Sequence, residues 1–345
     1  MKVLVTGGAG FIGSCFIRML LAENSSARVL NLDKLTYAGN LENLADVASD
    51  ARYTFVRGDI CDRALVDSLL ADWSPEIVVN FAAESHVDRS ILTPDPVFQT
   101  NLAGTFTLLE ASRRRGVKRF VQVSTDEVYG SLSEPLQATE EFPLRPSSPY
   151  SASKAGADLL ALSYFATYRT PVIVTRASNN YGPYQFPEKL IPLMITNALE
   201  DRPLPIYGDG LQVRDWLFVE DHCRALFRVV ECGREGEVYN VGGGCPLTNR
   251  EVVQRILAAL GKPQHLMVNV SDRPGHDRRY ALCCEKLHRQ TGWRPKIGFE
   301  EGLRRTIAWY QQHPEWVRRV RSGEYLEYYA RNYERRDQEL ARLRQ

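Results

Sequence analysis

The stretch Val3-Leu4-Val5-Thr6-Gly7-Gly8-Ala9-Gly10-Phe11-Ile12-Gly13 decides how the chain is read. A short apolar run gives way to a glycine-rich turn, which leads straight into the helical pattern FIGSCFIRMLLAE (11–23). Strand, tight turn and helix make one unit of an alternating α/β sheet. Gly7, Gly10 and Gly13 let the backbone approach a pyrophosphate closely. The first turn of the helix then offers unpaired N–H groups and a positive dipole to the anion. A glycine triplet alone also fits a flexible turn, so its context matters. Asp33 closes the next apolar run, RVLNL (28–32), 20 residues after Gly13. An acid there accepts hydrogen bonds from adenosine ribose hydroxyls and repels a 2′-phosphate, which favours NAD over NADP.

The alternation continues through TFVRG (54–58), IVVNFAA (77–83), FVQVS (120–124) and VIVTRAS (172–178). These continuous, β-branched runs suit strands buried on both faces. Between them, Asp62 caps a helix through Trp73, and 97–116 reads as one long helix ending in arginines and a glycine. The expected fold class is α/β, a doubly wound (Rossmann), mostly parallel sheet with a smaller α/β substrate-binding lobe on its C-terminal side. After about residue 180 glycine, proline and loop signals rise, with helices expected at 188–200, 221–232, 249–260 and 299–312. The expected domains are therefore 1–180, to which later strands return, and 181–330, interleaved with it. Residues 331–345 read as a basic C-terminal tail, whose mixed acids also fit a solvated helical face.

With 345 residues, 44% apolar and 25% charged, the chain has the make-up of a globular protein. A net charge of +1 gives no broad drive toward nucleic acid or anionic membrane. The apolar VLV stops after three residues, too short for a signal peptide, and no uncharged run approaches membrane-spanning length. Seven scattered cysteines without a CxxC pair suggest reduced thiols in a cytoplasm, with neither a zinc site nor a disulfide framework.

Two segments carry chemistry. Tyr150 and Lys154, in PYSASK, lie at i and i+4 on one helix face. A tyrosine with its ordinary pKa of about 10 is a poor base at neutral pH. A neighbouring ammonium favours the phenolate, and a shift of ~3 units, worth ~4 kcal/mol, would come from Lys154 and a positively charged cofactor ring together. Upstream, Ser124-Thr125-Asp126-Glu127-Val128-Tyr129-Gly130 places two acids at the end of a buried strand. Neighbours on a regular strand face opposite sides. The chain must therefore leave strand geometry at Asp126, or a substrate must sit between the two side chains.

TGGAGFIG, the Thr125 strand end and YSASK together resemble the extended short-chain dehydrogenase/reductase family. STDEVYG, AAESHVDRS (82–90), NNYGPYQ (179–185), PEKLIPL (187–193), VRDW (213–216), VEDHCRA (219–225) and RPGHDRRYA (273–281) are similar to the dTDP-glucose 4,6-dehydratase branch of that family. The similarity runs to about residue 310. The acid pair is its most specific part, since the 4-epimerases of the family keep the Ser/Thr, Tyr and Lys but lack it.

The resemblance implies an NAD-dependent hydro-lyase that turns dTDP-glucose into dTDP-4-keto-6-deoxyglucose. Tyr150, helped by Thr125 and Lys154, takes the proton of the 4-hydroxyl as C4 is oxidised. The ketone acidifies C5, Glu127 removes that proton, Asp126 protonates the departing 6-hydroxyl, and hydride returns to C6. Adjacent carboxyls in opposite protonation states are what repulsion and desolvation produce. It also implies cofactor contacts at Gly7, Gly10, Phe11, Ile12, Gly13, Asp33, Lys34, Thr36, Asp59, Ile60, Ala82, Ala83, Thr100 and Asn180, besides Tyr150 and Lys154. Substrate contacts are implied at Ser85, Asn179, Lys189, Leu190, Pro205, Tyr207, Arg214, Asn249, Arg273, His276 and Tyr280, besides Thr125, Asp126 and Glu127. No metal is implied. His86 has no second ligand at metal-binding spacing and reads as structural or near the pyrophosphate. Phe186 and Phe218 stand where the family often has His. The product would feed rhamnose or other deoxysugar synthesis, and a homodimer through 97–116 and 150–168 is the family-level expectation. Two other readings stay open: a nucleotide-sugar 4-epimerase, decarboxylase or 4,6-dehydratase of another nucleotide, and a catalytically silent NAD-binding regulator.

Overall fold

The computed structural model describes residues 1–342. Strands β1 (Lys2–Thr6), β2 (Arg28–Asp33), β3 (Tyr53–Arg57), β4 (Ile77–Asn80), β5 (Arg119–Thr125) and β6 (Val172–Ala177) are followed by six more. These are β7 (Asn179–Tyr181), β8 (Leu204–Tyr207), β9 (Val213–Phe218), β10 (Val238–Val241), β11 (Pro246–Thr248) and β12 (Met267–Val270). Seven of them form one sheet in the order β10-β6-β5-β4-β1-β2-β3, parallel throughout.

Alternation along β1 explains its burial. Val3 and Val5 pack with Phe16 and Ile17 of helix α1 (Phe11–Glu23) on one face. Leu4 packs with Leu70 of α2 (Arg63–Trp73) and Leu108 on the other. From β1 the chain builds β2 and β3 to one side, then crosses back to lay β4 on the other. That reversal opens a crevice beyond the carboxyl ends of β1 and β4, the general ligand position of such sheets.

The remainder forms a three-stranded sheet β11-β9-β7 and a two-stranded sheet β12-β8 around a separate apolar cluster that includes Ile195, Leu257 and Tyr310. The chain crosses between the two bodies, because β10 returns to the large sheet.

Two expectations fail. Residues 97–116 are not one regular helix. Helix α3 (Val87–Leu92) and the short α4 (Asp95–Phe98) lead into a π-helical stretch, Gln99–Gly104, before α5 (Thr105–Arg115). Its wide turn lets the Asn101 amide bond Glu84 N, Glu84 O and Ser153 Oγ, over 2.9, 3.0 and 2.9 Å. Nor does 331–345 begin as a free basic tail. Tyr325, Tyr328, Tyr329, Asn332 and Arg336 are buried. Their i, i+3, i+4 spacing is an amphipathic stripe that the arginine count obscured. Residues 343–345 lie outside the described part.

Candidate active site

The glycine turn sits at the crevice. A Cβ on Gly7 would stand 2.6 Å from Ala82 N, and one on Gly13 would stand 2.4 Å from Gly7 O. No side chain fits between these backbones. Helix α1 starts at the N-cap Gly10 without a side-chain cap, so its first-turn N–H groups remain for a ligand. Asp33 ties the turn to β2: Oδ2 accepts from Ala9 N at 2.9 Å and Oδ1 from Leu35 N at 2.8 Å. Burial raises the Asp33 pKa, and those two N–H groups oppose the rise. At the mouth Lys34 pairs with Asp59 at 2.7 Å. An anion-binding turn beside an adenosine-binding acid fits a dinucleotide.

Every residue expected to touch the cofactor lines this one cavity, Thr100 of the π-helical stretch included. The cavity continues to Thr125, Asp126, Glu127, Tyr150, Ser85, Asn179 and Lys189. The remaining substrate candidates, Leu190, Pro205, Tyr207, Arg214, Asn249, Arg273, His276 and Tyr280, do not line it. Asn249 opens a helix, its N–H bonded to Gln212 O. Pro205 is a strand residue of β8, and Leu190 opens α7 (Leu190–Leu199).

Most of the others form a second cluster, in which Asp88 Oδ1 and Arg273 Nε are buried without a hydrogen bond. Arg214 lies 4.2 Å over the Tyr280 ring and donates to Asp277 O. Tyr207 donates to Asp88 Oδ2 at 2.8 Å, while Arg336 covers its ring at 4.0 Å. Arg273 stands 3.6 Å from Asp88 Oδ1. His276 Nδ1 meets Asp272 Oδ1 at 2.5 Å, and burial pushes its pKa down to about 4. Buried contacts of this kind join residues far apart in sequence, so pattern alone could not order them.

The acid pair is turned by the backbone. Strand β5 ends at Thr125, and Asp126–Tyr129 form a 3₁₀ turn capped by Thr125 Oγ1, which accepts from Glu127 N at 3.2 Å. Three residues per turn set successive side chains about 120° apart instead of 180°, and both acids reach the cavity. Burial raises both carboxyl pKa values, but their neighbours differ. Asp126 is pushed up further by Glu127, and its Oδ2 is buried without a hydrogen-bond partner. Glu127 is pulled back down by Arg273, Lys189 and Arg214. The surroundings therefore favour the proton on Asp126 over Glu127.

Tyr150 and Lys154 share a face of α6 (Pro149–Tyr168), which begins with a Ser148/Ser151 capping box and Pro149 in its first turn. Lys154 Nζ donates to Val123 O at 2.6 Å. Burial, then Glu127 and Asp126, hold the Tyr150 pKa well above its ordinary value, and a Thr125 hydrogen bond opposes them. Burial lowers the Lys154 pKa to about 8.

Sequence reasoning missed His222, Glu188, Gln185 and Glu84, which also line the cavity. His222 Nδ1 contacts Asn180 Oδ1 at 2.9 Å; its place in the VEDHC helix gave no sign of this. His86 is buried against Tyr328, whose hydroxyl lies 3.1 Å from Nε2. Phe186 lines the cavity edge-on to Tyr37 and Tyr325. Phe218 is buried against Tyr181.

A parallel doubly wound sheet with this glycine turn and a Tyr–Lys helix defines the extended short-chain dehydrogenase/reductase class. The family model described as GDP-mannose 4,6 dehydratase matches residues 4–306, and the chain belongs to that family. It is 50% identical over 361 aligned positions to dTDP-glucose 4,6-dehydratase 1 of Escherichia coli (strain K12), covering 97% of this chain and 100% of that one. The crystal structure of dTDP-glucose 4,6-dehydratase from Bacillus anthracis str. Ames in complex with NAD is 51% identical, with a TM-score of 0.88 over 93% of this chain and 99% of that one. DesIV, the dTDP-glucose 4,6-dehydratase of Streptomyces venezuelae, solved with NAD and TYD bound, is 50% identical, with a TM-score of 0.90 over 93% and 100%.

Proposed function

We propose that the protein is an NAD-dependent hydro-lyase converting dTDP-glucose to dTDP-4-keto-6-deoxyglucose. The observation that carries this reading is the acid pair sharing one cavity with Tyr150 and Thr125. NAD, when bound, supplies the acceptor that takes a hydride from C4 and returns it at C6.

The side chains do the rest. Tyr150, brought to its phenolate by Lys154 and the positive ring of NAD when bound, would take the proton of the 4-hydroxyl, and Thr125 Oγ1 would hold the same oxygen. The C4 ketone makes the C5 proton acidic, and ionised Glu127 removes it. Protonated Asp126 gives its proton to the 6-hydroxyl, which leaves as water. Elimination needs one base and one acid, and neighbours that push two pKa values apart supply both. Lys189, Arg214 and Arg273 would meet the diphosphate, with Tyr207, Asn249, His276 and Tyr280 toward the nucleoside. Of these only Lys189 lines the cavity, so substrate binding would draw on the Asp88 cluster for the rest.

A homodimer in the cytoplasm goes with this reading. Phe98, Leu159 and Tyr168, on α4 and α6, are 42, 58 and 54% exposed, apolar side chains that a partner would cover. All seven cysteines are unpaired, as suits a reducing compartment. Among the described residues no helix is long and apolar enough to cross a membrane.

The test is incubation with dTDP-glucose, UDP-glucose, CDP-glucose and GDP-mannose in heavy water, read by product mass. Loss of one water and gain of one deuterium at C5 are expected, fastest for dTDP-glucose. Unchanged sugar mass with every donor, on protein shown to carry NAD, would sink the reading.

A further inference from the structure

The carboxyl ends of the strands set the course of a bound dinucleotide. In sheet order, Asp33 ends β2, Gly7 follows β1, Ala82 follows β4, Thr125 ends β5, and Ser178 to Asn180 follow β6. With adenosine at Asp33 and the diphosphate at Gly7, the nicotinamide end reaches β5 and β6. There Thr125 pairs with Ala177, and the cavity wall passes through Ser178, Asn180, Gln185 and His222.

Asn180 is the hub of this end. Its Nδ2 donates to Ser178 O at 2.9 Å, which fixes Oδ1 as an acceptor. Oδ1 lies 2.9 Å from Nδ1 of His222, on helix α8 (Val219–Cys232), so that nitrogen carries the hydrogen. Burial pushes the His222 pKa down to about 3, and the ring stays neutral. Nε2 of such a ring can only accept. Asn180 O accepts in turn from Gln185 Nε2 at 2.9 Å, which leaves Oε1 as the acceptor of the Gln185 amide.

Both leftover acceptors are buried. His222 is 0% and Gln185 8% exposed, and neither Nε2 nor Oε1 has a hydrogen-bond partner among the described residues. A buried acceptor without a donor is costly, and native structures seldom keep one that no ligand or water meets. Neither residue is free to swing away. Gln185 O accepts from Tyr310 Oη, and Cys223, beside His222, contacts Ile12 O at 3.8 Å. The complement of two fixed acceptors is a group that donates twice. Phosphate oxygens only accept. Ribose hydroxyls donate once each. A primary amide offers two N–H groups from one nitrogen.

We propose that His222 Nε2 and Gln185 Oε1, both oriented by Asn180, accept the two N–H groups of the nicotinamide carboxamide. The ring is thereby held against rotation about its glycosidic bond. This rests on the reading of the cavity as an NAD site, and the two can fail separately.

Protein freed of copurified dinucleotide is titrated calorimetrically with NAD and with 3-acetylpyridine adenine dinucleotide. The analogue keeps both riboses and the diphosphate but carries a methyl group in place of the amide NH₂. No sugar is present, so a substrate hydroxyl cannot supply the donor. The parent should bind NAD at least about tenfold tighter than the analogue, the usual penalty for buried acceptors left unpaired. His222→Phe and Gln185→Met should each shrink that preference, and the double variant should bind the two dinucleotides alike. Gln185→Met carries the test if His222→Phe does not fold. A parent that binds the two equally overturns the proposal, because ribose hydroxyls or a bridging water would then be meeting these acceptors. So does a preference that persists in the folded variants, both dinucleotides weakening by one factor, since that is the mark of a purely structural role. A parent that takes up neither dinucleotide sinks the NAD reading itself.

Discussion

Gly7→Ala and Gly116→Ala pose the same backbone question in two surroundings. The two glycines have φ of +69° and +63°. Alanine at either costs about 1–2 kcal/mol of left-handed strain. Around Gly116 nothing lies within 4 Å of the added carbon. At Gly7 it meets Ala82 N at 2.6 Å, Ala82 Cα at 2.8 Å and Phe81 C at 2.9 Å, where ordinary contact begins near 3.4 Å. The ends of β1 and β4 must therefore part by about 0.8 Å, the difference between 3.4 and 2.6 Å. The obstructing atoms are backbone, and Phe81 N is bonded to Thr6 O at 3.0 Å, so no side chain can swing clear. Overpacking of this kind costs a further ~1–3 kcal/mol. The displaced turn is also the anion cradle, so NAD affinity should fall at least about tenfold, or ~1.4 kcal/mol. Denaturant unfolding gives the two stability losses, and calorimetric titration with NAD gives the two affinities. Gly116→Ala should lose only the strain cost and bind NAD as the parent does. Equal stability losses, together with parent affinity in Gly7→Ala, would refute the close-approach argument.

Glu127→Gln should slow water loss by about 10²–10⁴-fold, the usual worth of a positioned base, while oxidation at C4 continues and reduced cofactor accumulates. Dehydration at the parent rate would show that Glu127 is not the base. Acid should destabilise the fold through His86, which burial pushes from 6.5 to about 4. The unfolded chain then binds a proton that the native state refuses. This stability is complete above about pH 6.5 and is lost on falling toward pH 4, by ~3 kcal/mol for this residue. His86→Gln should flatten that slope in denaturant titrations, and an identical slope would disprove the assignment.

The large sheet was legible because its strands are apolar on both faces, as in Val3-Leu4-Val5, and because turn chemistry marks each helix start. The cofactor side of the site was equally readable, since Gly7, Gly13 and Asp33 follow from strand ends. What escaped depends on local backbone choice or distant contact. The extra width at Gln99–Gly104 is set by Asn101 reaching Glu84 and Ser153, which no helical period encodes. The sequence shows that the chain must turn at Asp126 or hold its substrate between the two acids, and the 3₁₀ turn is a local backbone choice that strand periodicity does not encode. The lysine's orientation toward Val123 and the Asp88 cluster arise from packing between elements.

The closing contacts of Tyr328 with His86 and Arg336 with Tyr207 join residues 242 and 129 positions apart. The walls that face the substrate lobe are thus finished by residues far downstream of those they cover. A chain cut before Tyr325 keeps every strand of the large sheet but leaves His86 and Tyr207 without these partners. Such a cut should therefore register in nucleotide-sugar affinity before it registers in the Rossmann sheet.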